Sequence, residues 1–451
     1  MPKKPSSQFV CQQCGTIRPK WAGRCDNCGA WNSFVEQAPI ASGNTAVAKS
    51  TGTALKPEKI ADVAPSDQKG RVNTGMPDVN TVLGGGIVPA SVVLIAGQPG
   101  IGKSTLLMQL AALVAADVPT LYVSGEESVG QVKVRATRLG AGGHDNLHLV
   151  SSTSADDIAA TIRGGSYRLV IVDSIQTLAM NDIASAPGSV GQITNSSNLL
   201  TQAAKASNTA LILVGHVTKE GSIAGPKVLE HMVDVVLNLE GDRYGGFKVL
   251  RAIKNRYGGT NEAAIFEMND EGLTPVLNPS AALLEERQST DGSVVLATLE
   301  GNRPLLVEIQ ALVNKTNFGY PKRTASGFDL NRLNVLVAVL ERRTKLNLSD
   351  SDIYINVVGG IKIQDPAADL AVCMAIASAA KEMALDEGAV VFGEVGLSGE
   401  VRTAQLAEKR IGEATKLGFT YAIGPKSART KEFVRPVANM RDALNTFLKK
   451  T

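Results

Sequence analysis

Long apolar segments are missing from this sequence. No run reaches the roughly eighteen consecutive apolar residues that a membrane-spanning helix needs, and the best stretch, residues 366–380, is shorter and contains Asp369. The opening MPKKPSSQFV has neither the apolar core nor the cleavage site of a secretory signal. These absences argue against a membrane protein, so we expect a soluble, cytoplasmic protein with no membrane partner.

An excess of either charge is also missing. The chain has 46 Lys and Arg residues against 43 Asp and Glu residues, which gives a formal net charge of +3. A polyanion must therefore be held by a local patch, because the whole molecule has no strong field. With 451 residues, 44% of them hydrophobic, the chain can form roughly two to four domains with separate cores.

Cysteine is rare outside one short segment. Of five cysteines, four form two C-x-x-C pairs near the amino terminus: Cys11, Cys14, Cys25 and Cys28. Four thiolates at this spacing can close a tetrahedral Zn²⁺ site with no position open to water, so residues 1–35 are predicted to be a structural zinc ribbon. Incidental buried cysteines are the alternative. The ribbon surface either contacts nucleic acid or faces solvent, and both readings stay open for Arg18, Lys20, Trp21 and Arg24.

Residues 91–112 predict a strand, a glycine-rich loop and a helix. Within them G-x-x-x-x-G-K-S lets backbone N–H groups surround phosphate oxygens, while the lysine meets the β- and γ-phosphates and the serine hydroxyl binds Mg²⁺. A chance glycine turn would seldom have the flanking strand and helix as well. The predicted ATP-binding residues are Gly97, Gln98, Pro99, Gly100, Ile101, Gly102, Lys103, Ser104 and Thr105.

The segment before this loop, VNTGMPDVNTVLGGGIVP, resembles the entry to the ATPase core of the RecA-type superfamily. By that similarity Glu126, after the predicted strand at residues 120–124, is the carboxylate that orients or activates the attacking water, with Glu127 as the alternative. Both could instead be acids favoured at a helix amino terminus. The run LVIVD ends in Asp173, which we expect to hold the water shell of Mg²⁺.

Two further features follow the last strand of the predicted core. His216 closes the apolar run at residues 209–215, and in RecA-like folds a polar residue at this place senses the γ-phosphate; a histidine that merely ends a strand is the alternative. The basic, glycine-containing loop beyond it carries Lys219 and Lys227 and suits contact with DNA in the centre of a ring.

A predicted hairpin over residues 233–253 leads into the pentapeptide Lys254, Asn255, Arg256, Tyr257 and Gly258. Two cations on a rigid strand end suit charge stabilisation in the transition state across a subunit boundary, as arginine fingers do. A basic hairpin end that faces solvent is the competing interpretation.

A four-cysteine ribbon, a RecA-like core and a K-N-R-[FY]-G segment in this order resemble the bacterial RadA/Sms family of DNA repair proteins, with Tyr257 for the commoner Phe. The resemblance implies a DNA-stimulated ATPase that uses ATP, Mg²⁺ and Zn²⁺. It also implies binding of single-stranded DNA, branch migration of recombination intermediates, a RecA-type recombinase as partner and a homo-hexameric ring.

The loop predicted for residues 314–327 mixes cations with Phe318 and Tyr320. Such a mixture suits neutralisation of a nucleic-acid backbone and stacking of bases on a single strand, although a solvated glycine loop fits as well. The candidate DNA-binding residues are Lys315, Lys322 and Arg323.

The carboxyl-terminal part resembles the proteolytic domain of Lon, but its catalytic residues are absent. Ala367 follows Pro366 where the family has serine, and Glu408 stands where lysine is expected. Without an activated nucleophile no acyl-enzyme can form, so we expect no peptidase activity and a role in assembly.

The sequence therefore predicts an α/β fold: a RecA-like P-loop ATPase core with an N-terminal four-cysteine zinc ribbon and a C-terminal α+β Lon-protease-like domain. The expected boundaries are ribbon 1–35, linker 36–70, ATPase 71–274, connector 275–290 and peptidase-inactive domain 291–451.

Overall fold

The computed structural model of the chain describes residues 8–12, 16–27, 29–37, 59, 70–215, 228–241, 246–316, 319–427 and 432–448. The chain folds into two compact units. The first contains residues 1–239, 252–260 and 270–273, and the second contains residues 240–251, 261–269 and 274–451. No helix in the described ranges has the length and apolar character needed to cross a membrane.

The first unit begins with a small antiparallel sheet in the order β2–β1–β3, with β1 (Gln8–Cys11), β2 (Ile17–Arg18) and β3 (Phe34–Gln37). Cys11, Cys25 and Phe34 are buried together in its core. This sheet corresponds to the predicted ribbon and extends two residues past its predicted end, because Glu36 and Gln37 still pair with β1.

The rest of this unit corresponds to the predicted ATPase core and is called the ATPase part below. It is built on strands β4 (Val92–Gly97), β5 (Thr120–Ser124), β6 (Leu147–Ser151), β7 (Leu169–Asp173) and β8 (Ala210–Val214). Strand β9 (Val235–Gly241) pairs with β4 through Val235–Leu239, and the order is β9–β4–β8–β7–β5–β6. All neighbours in this order are parallel. The central strands are continuous apolar runs because both faces of a parallel sheet are covered.

The helices of the first unit are α1 (Pro77–Leu83), α2 (Lys103–Ala115), α3 (Val129–Arg138), α4 (Ala155–Gly164), α5 (Val190–Ala206) and α6 (Val228–Met232). Three of them begin at a serine whose hydroxyl accepts a backbone N–H bond of the first turn: Ser128, Ser154 and Ser189. Helix α5 also contacts the ribbon, since Asn195 Nδ2 donates to the carbonyl of Glu36 at 3.1 Å. The ribbon is therefore packed on the ATPase part as well as joined to it by the chain.

Strand β9 is followed by β10 (Phe247–Asn255), β11 (Ala263–Asn269) and β12 (Gly272–Pro275). The chain changes unit within β9, β10 and β12, whereas the sequence led us to expect a single boundary at residue 274. The reason lies in burial: Phe247, Val249 and Ile265 of β10 and β11 belong to the apolar core of the second unit.

The second unit contains β13 (Ser293–Glu300), β14 (Arg303–Lys315), β15 (Arg323–Ser326), β16 (Ser351–Val357), β17 (Ala389–Val391), β18 (Glu394–Val395), β19 (Val401–Arg402), β20 (Tyr421–Pro425) and β21 (Val434–Val437). Seven of these form one mixed sheet in the order β15–β16–β14–β13–β17–β20–β21, and β18 pairs with β19. The helices are α7 (Pro279–Leu284), α8 (Leu330–Thr344), α9 (Asp369–Lys381), α10 (Ala407–Lys416) and α11 (Met440–Phe447).

Some predicted irregular segments are ordered. Helix α5 begins at Val190, inside a segment rich in Gly, Ser and Ala, because Ser189 supplies its cap. Helix α7 lies within the predicted connector. The predicted loop at residues 314–327 contains β15, which is stabilised by parallel pairing with β16, a tertiary contact that local composition does not reveal. Short 3₁₀ turns occur at Ile175–Thr177, Val358–Gly360 and Pro366–Ala368.

Candidate ATPase site and its surroundings

The phosphate loop follows the carboxyl end of β4. Gly100 and Gly102 have φ values of +79° and +113°, a left-handed backbone that favours glycine. The amino terminus of α2 has no side-chain cap, so its N–H groups are available to an anion. Lys103 Nζ donates to the carbonyls of Gly97 at 2.9 Å and Gln98 at 3.0 Å. The loop therefore forms a cradle in which phosphate oxygens would replace carbonyl oxygens as partners of Lys103.

Burial dominates the electrostatics of Lys103. The residue is 4% exposed, and desolvation lowers its pKa from 10.5 to about 8, against the opposing attraction of Asp173 and Glu126. Those two carboxylates act on the same ammonium, so the structure brings the three predicted catalytic residues of this end of the sheet together.

Asp173 ends β7 beside Ser124 of β5. Its Oδ2 accepts a hydrogen bond from the Tyr122 hydroxyl at 2.6 Å. Asp173 supplies carboxylate oxygens at the end of β7, and Ser104 supplies a hydroxyl oxygen in the first turn of α2; Mg²⁺ prefers such oxygen ligands. The residues fit Mg²⁺, held directly or through its water shell.

Glu126 and Glu127 are held differently, although they are adjacent. Ser174 Oγ donates to Glu126 Oε1 at 2.8 Å, which keeps Glu126 next to the end of β7. Glu127 Oε2 lies 2.5 Å from Arg135 Nη1, in an ion pair with α3. This arrangement favours Glu126 as the carboxylate for the attacking water, and the choice stays a prediction.

Among the residues predicted to act at this site or to bind DNA, His216, Lys219 and Lys227 fall outside the described residues. Their roles stay predictions.

Lys254 and Arg256 are placed at the opposite end of the sheet. Lys254 Nζ donates to the carbonyls of Glu230 at 2.6 Å and Val233 at 2.8 Å, at the carboxyl end of α6. Arg256 Nη1 donates to Asp234 Oδ1 at 3.1 Å. Asp234 precedes β9 and also accepts the N–H of Val92, the first residue of β4, whereas the phosphate loop follows the last residue of β4.

The K-N-R-Y-G turn packs on the triple glycine that precedes β4. A Cβ on Gly84 would lie 2.9 Å from Gly258 Cα, and the φ of Gly84 is +81°. Arg71 joins the two segments, because its Nη1 donates to the carbonyl of Gly84 at 2.5 Å and its Nη2 to that of Tyr257 at 3.3 Å. Asn255 Nδ2 donates to Val82 O at 3.2 Å. Two motifs that are distant in sequence therefore form one rigid structure.

Cys11 and Cys25 are each 1% exposed and pack in the ribbon core. Buried thiols gathered in a small β-sheet fit a zinc ribbon. No group of three or more His, Cys, Asp or Glu side chains forms a metal site within the described ranges, and these omit Cys14 and Cys28. The complete four-cysteine site therefore stays a prediction.

In the second unit the candidate DNA-binding cations flank the start of β16. Lys315 is the register partner of Ser351, and Arg323 that of Ile353. Lys315 and Lys322 are exposed, whereas Arg323 is half-buried on β15. Tyr320 is 88% exposed beside them.

The Lon-like part has a cavity of about 360 Å³ whose lining includes Pro366, Ala367 and Arg410. Sequence comparison placed Glu408 at the family's lysine position, but Glu408 is exposed. The residue of α10 that lies in the cavity wall is the buried Arg410, whose Nη1 donates to Asp365 Oδ2 at 2.6 Å. Glu408 and Arg410 lie on different faces of α10, because two residues along a helix change the face, and the correspondence of Glu408 to the family's lysine stays a prediction.

Sequence reasoning missed Tyr122, Arg135, Asp234 and Arg71. Two of them carried a signal. Tyr122 lies in an apolar strand where its hydroxyl needs a partner, and Asp234 is an acid at the start of an apolar strand, where burial requires a cation or donors.

Comparison with known proteins agrees with this architecture. A family model described as an AAA domain matches residues 57–222, one described as a rubredoxin metal binding domain matches residues 9–36, and one described as subunit ChlI of Mg-chelatase matches residues 331–428. A curated protein of Bacillus subtilis, "DNA repair protein RadA", is 48% identical over 458 residues that cover 99% of both chains. The chain belongs to the RadA family.

Other members are similarly close. The RadA proteins of Listeria monocytogenes and Halalkalibacterium halodurans are each 47% identical, and the alignments cover 94% of this chain and 93% of theirs. The predicted family and fold class are confirmed: a P-loop ATPase domain lies between an N-terminal ribbon of metal-binding type and a Lon-like C-terminal domain.

Proposed function

We propose that this RadA-family protein is a DNA-stimulated ATPase of homologous recombination and DNA repair. It binds single-stranded DNA and branched intermediates, promotes branch migration as a hexameric ring in the cytoplasm, and works with a RecA-type recombinase. Zn²⁺ is held by the four ribbon cysteines. The role in DNA repair is supported by the names of the relatives, and the use of ATP as energy source is supported by the match to an ATPase domain.

The observation that carries the proposal is the separation of Lys103 from Arg256 by the length of β4. Lys103 contacts the loop after the last residue of β4, whereas Arg256 pairs with Asp234, which contacts the first. We assign the cation at that end to a nucleotide on another subunit, which requires a head-to-tail contact between subunits; such contacts form a ring when their rotation closes.

Within one site the chain's own residues divide the work. Lys103 and the α2 amino terminus bind the phosphates, Ser104 and Asp173 hold Mg²⁺, and Glu126 orients the attacking water. When bound there, Mg²⁺ would supply neutralisation of the phosphate charge. Arg256 of a neighbouring subunit stabilises the charge that develops in the transition state, while Lys254 must first leave the carbonyls of Glu230 and Val233 to assist.

DNA binding is assigned to the cations at the start of β16. Lys315, Lys322 and Tyr320 are exposed together and combine charges for phosphates with a ring for stacking. Lys219 and Lys227, which lie outside the described residues, complete the predicted set.

The experiment is ATP turnover with and without single-stranded DNA, for the intact chain and for Lys315→Ala/Lys322→Ala. We expect DNA to stimulate turnover in the intact chain, and the double variant to need more DNA for the same stimulation. The matched control, Lys416→Ala/Lys426→Ala, removes two exposed lysines of the same unit and should respond like the intact chain.

Turnover that is indifferent to DNA would contradict the proposal and favour an ATPase scaffold that recruits partner proteins through the ribbon. Degradation of casein would contradict the expectation that the Lon-like domain is inactive as a peptidase.

A further inference from the structure

A buried hydrogen-bond network lies behind Asp173. Tyr122 on β5 is 0% exposed, and its hydroxyl donates to Asp173 Oδ2 at 2.6 Å. The phenol is therefore a buried donor to the Asp173 carboxylate.

Arg135 of α3 connects this network to the acidic pair after β5. Its Nη2 donates to the Tyr122 oxygen at 3.4 Å, and its Nη1 lies 2.5 Å from Glu127 Oε2. The Arg135 side chain is 17% exposed. The Arg135 guanidinium thus restrains both Tyr122, which binds Asp173, and Glu127, which is adjacent to Glu126 in the sequence.

We propose that Tyr122 and Arg135 are positioning residues of the ATPase site, with Tyr122 fixing the orientation of the Asp173 carboxylate for Mg²⁺. The Tyr122 hydroxyl binds one oxygen of the carboxylate, Oδ2, and so restrains the rotation of the whole group. A carboxylate that is free to rotate would have to be ordered when the metal binds, whereas this one is ordered in advance.

Arg135 acts through two contacts. It donates to the Tyr122 oxygen, which orients the phenol proton toward Asp173, and it holds Glu127 in an ion pair, which leaves Glu126 as the carboxylate for water. The inference rests on the ATPase assignment of the site, and it does not depend on DNA stimulation or on ring formation.

Tyr122→Phe tests the first contact, because it removes only the hydroxyl and preserves the packing of the ring. The primary readout is Mn²⁺ affinity, measured by electron paramagnetic resonance in the presence of a non-hydrolysable ATP analogue. We expect affinity to weaken about tenfold, as loss of an outer-shell partner of a metal ligand does. Affinity for the analogue without metal should stay unchanged, and hydrolysis is not needed for either value.

Tyr167→Phe is the matched control. It removes a phenol hydroxyl that contacts His148 Nδ1 at 3.0 Å near the opposite end of β7, so Mn²⁺ affinity should not change. If Tyr122→Phe left Mn²⁺ affinity unchanged, or weakened metal-free analogue binding by the same factor, Tyr122 would be a packing residue and the inference would be wrong.

Arg135→Gln tests whether Arg135 acts on the metal through Tyr122. Alone it should weaken Mn²⁺ affinity by about threefold, roughly the loss of one modest hydrogen bond. In the Tyr122→Phe background it should have no further effect, since the connecting oxygen is gone. Equal effects in both backgrounds would show that Arg135 acts independently and would overturn this step.

Discussion

At the carboxyl end of the ATPase sheet Lys103 is 4% exposed, whereas near the opposite end the side chain of Arg256 is 57% exposed. Lys103 is enclosed by its own loop, and its ammonium is attracted electrostatically by two carboxylates, Asp173 and Glu126. Arg256 is anchored by Asp234 but its side chain remains half outside the protein. The first end therefore encloses its cation within the chain, whereas the second leaves more than half of its cation's side chain exposed.

Arg256→Ala gives the largest expected effect at the second end. We expect ATP turnover to fall by about a thousandfold, the lower end of what an arginine finger contributes, because the transition-state charge loses its partner. Affinity for ATP should change less than threefold, as measured by equilibrium binding. Arg163→Ala, which removes an exposed arginine at the end of α4, is the control. Loss of ATP affinity with unchanged turnover would indicate instead that Arg256 binds ATP in the ground state, on its own chain.

Glu126→Gln should lower turnover by about a hundredfold, the smaller contribution of general base catalysis, with ATP still bound. Its neighbour provides the matched control: Glu127→Gln should retain turnover within roughly threefold, because Glu127 is paired with Arg135. Single-turnover measurements separate chemistry from binding. The reverse ranking of the two variants would assign catalysis to Glu127.

Gly84→Ala tests whether the packing of residues 254–258 on the triple glycine is needed for stability and turnover. The substitution places a Cβ 2.9 Å from Gly258 Cα at a φ of +81°. It should therefore lower the free energy of unfolding by about 1–3 kcal/mol and reduce ATP turnover as well. Gly140→Ala has a similar φ of +70° with no atom within 4 Å of the new Cβ and should cost less. Equal melting temperatures for the two variants would mean that the packing of the two motifs does not matter.

A smaller effect concerns pH and the first end alone. Lys103 has a pKa of about 8 in the nucleotide-free protein, and its charged form binds phosphate. ATP affinity should be constant below pH 8 and fall by up to about tenfold per unit above it, since binding then requires uptake of a proton. Calorimetric titration in buffers of different ionisation enthalpy measures that uptake. Affinity that stays constant to pH 9.5 would contradict the assigned shift.

Local sequence patterns predicted the first end well. The strands at residues 120–124 and 169–173, the loop and the start of α2 lie where the apolar runs and glycines indicated, because each motif is continuous in sequence. Tyr122 and Arg135 could not be assigned roles in this way, since the contacts that give them meaning join β5, β7 and α3.

The second end shows the same limit more strongly. The triple glycine and K-N-R-Y-G were recognised separately, but their packing through Gly84 and Gly258 depends on the tertiary fold. The assignment of β10 and β11 to the core of the second unit could not be predicted either. An alternating pattern shows that one face of a strand is buried, but not which core that face joins.

The most direct test of the account is complementation between Lys103→Ala and Arg256→Ala chains, each inactive alone. In rings co-expressed from both, roughly a quarter of interfaces combine an intact phosphate loop with an intact Arg256 from the neighbour, so ATP turnover should return toward that fraction. Rings that pair either variant with the Lys103→Ala/Arg256→Ala double variant should stay inactive. Recovery would establish that Arg256 serves the neighbouring nucleotide, and a mixed ring as inactive as its parents would show that it does not.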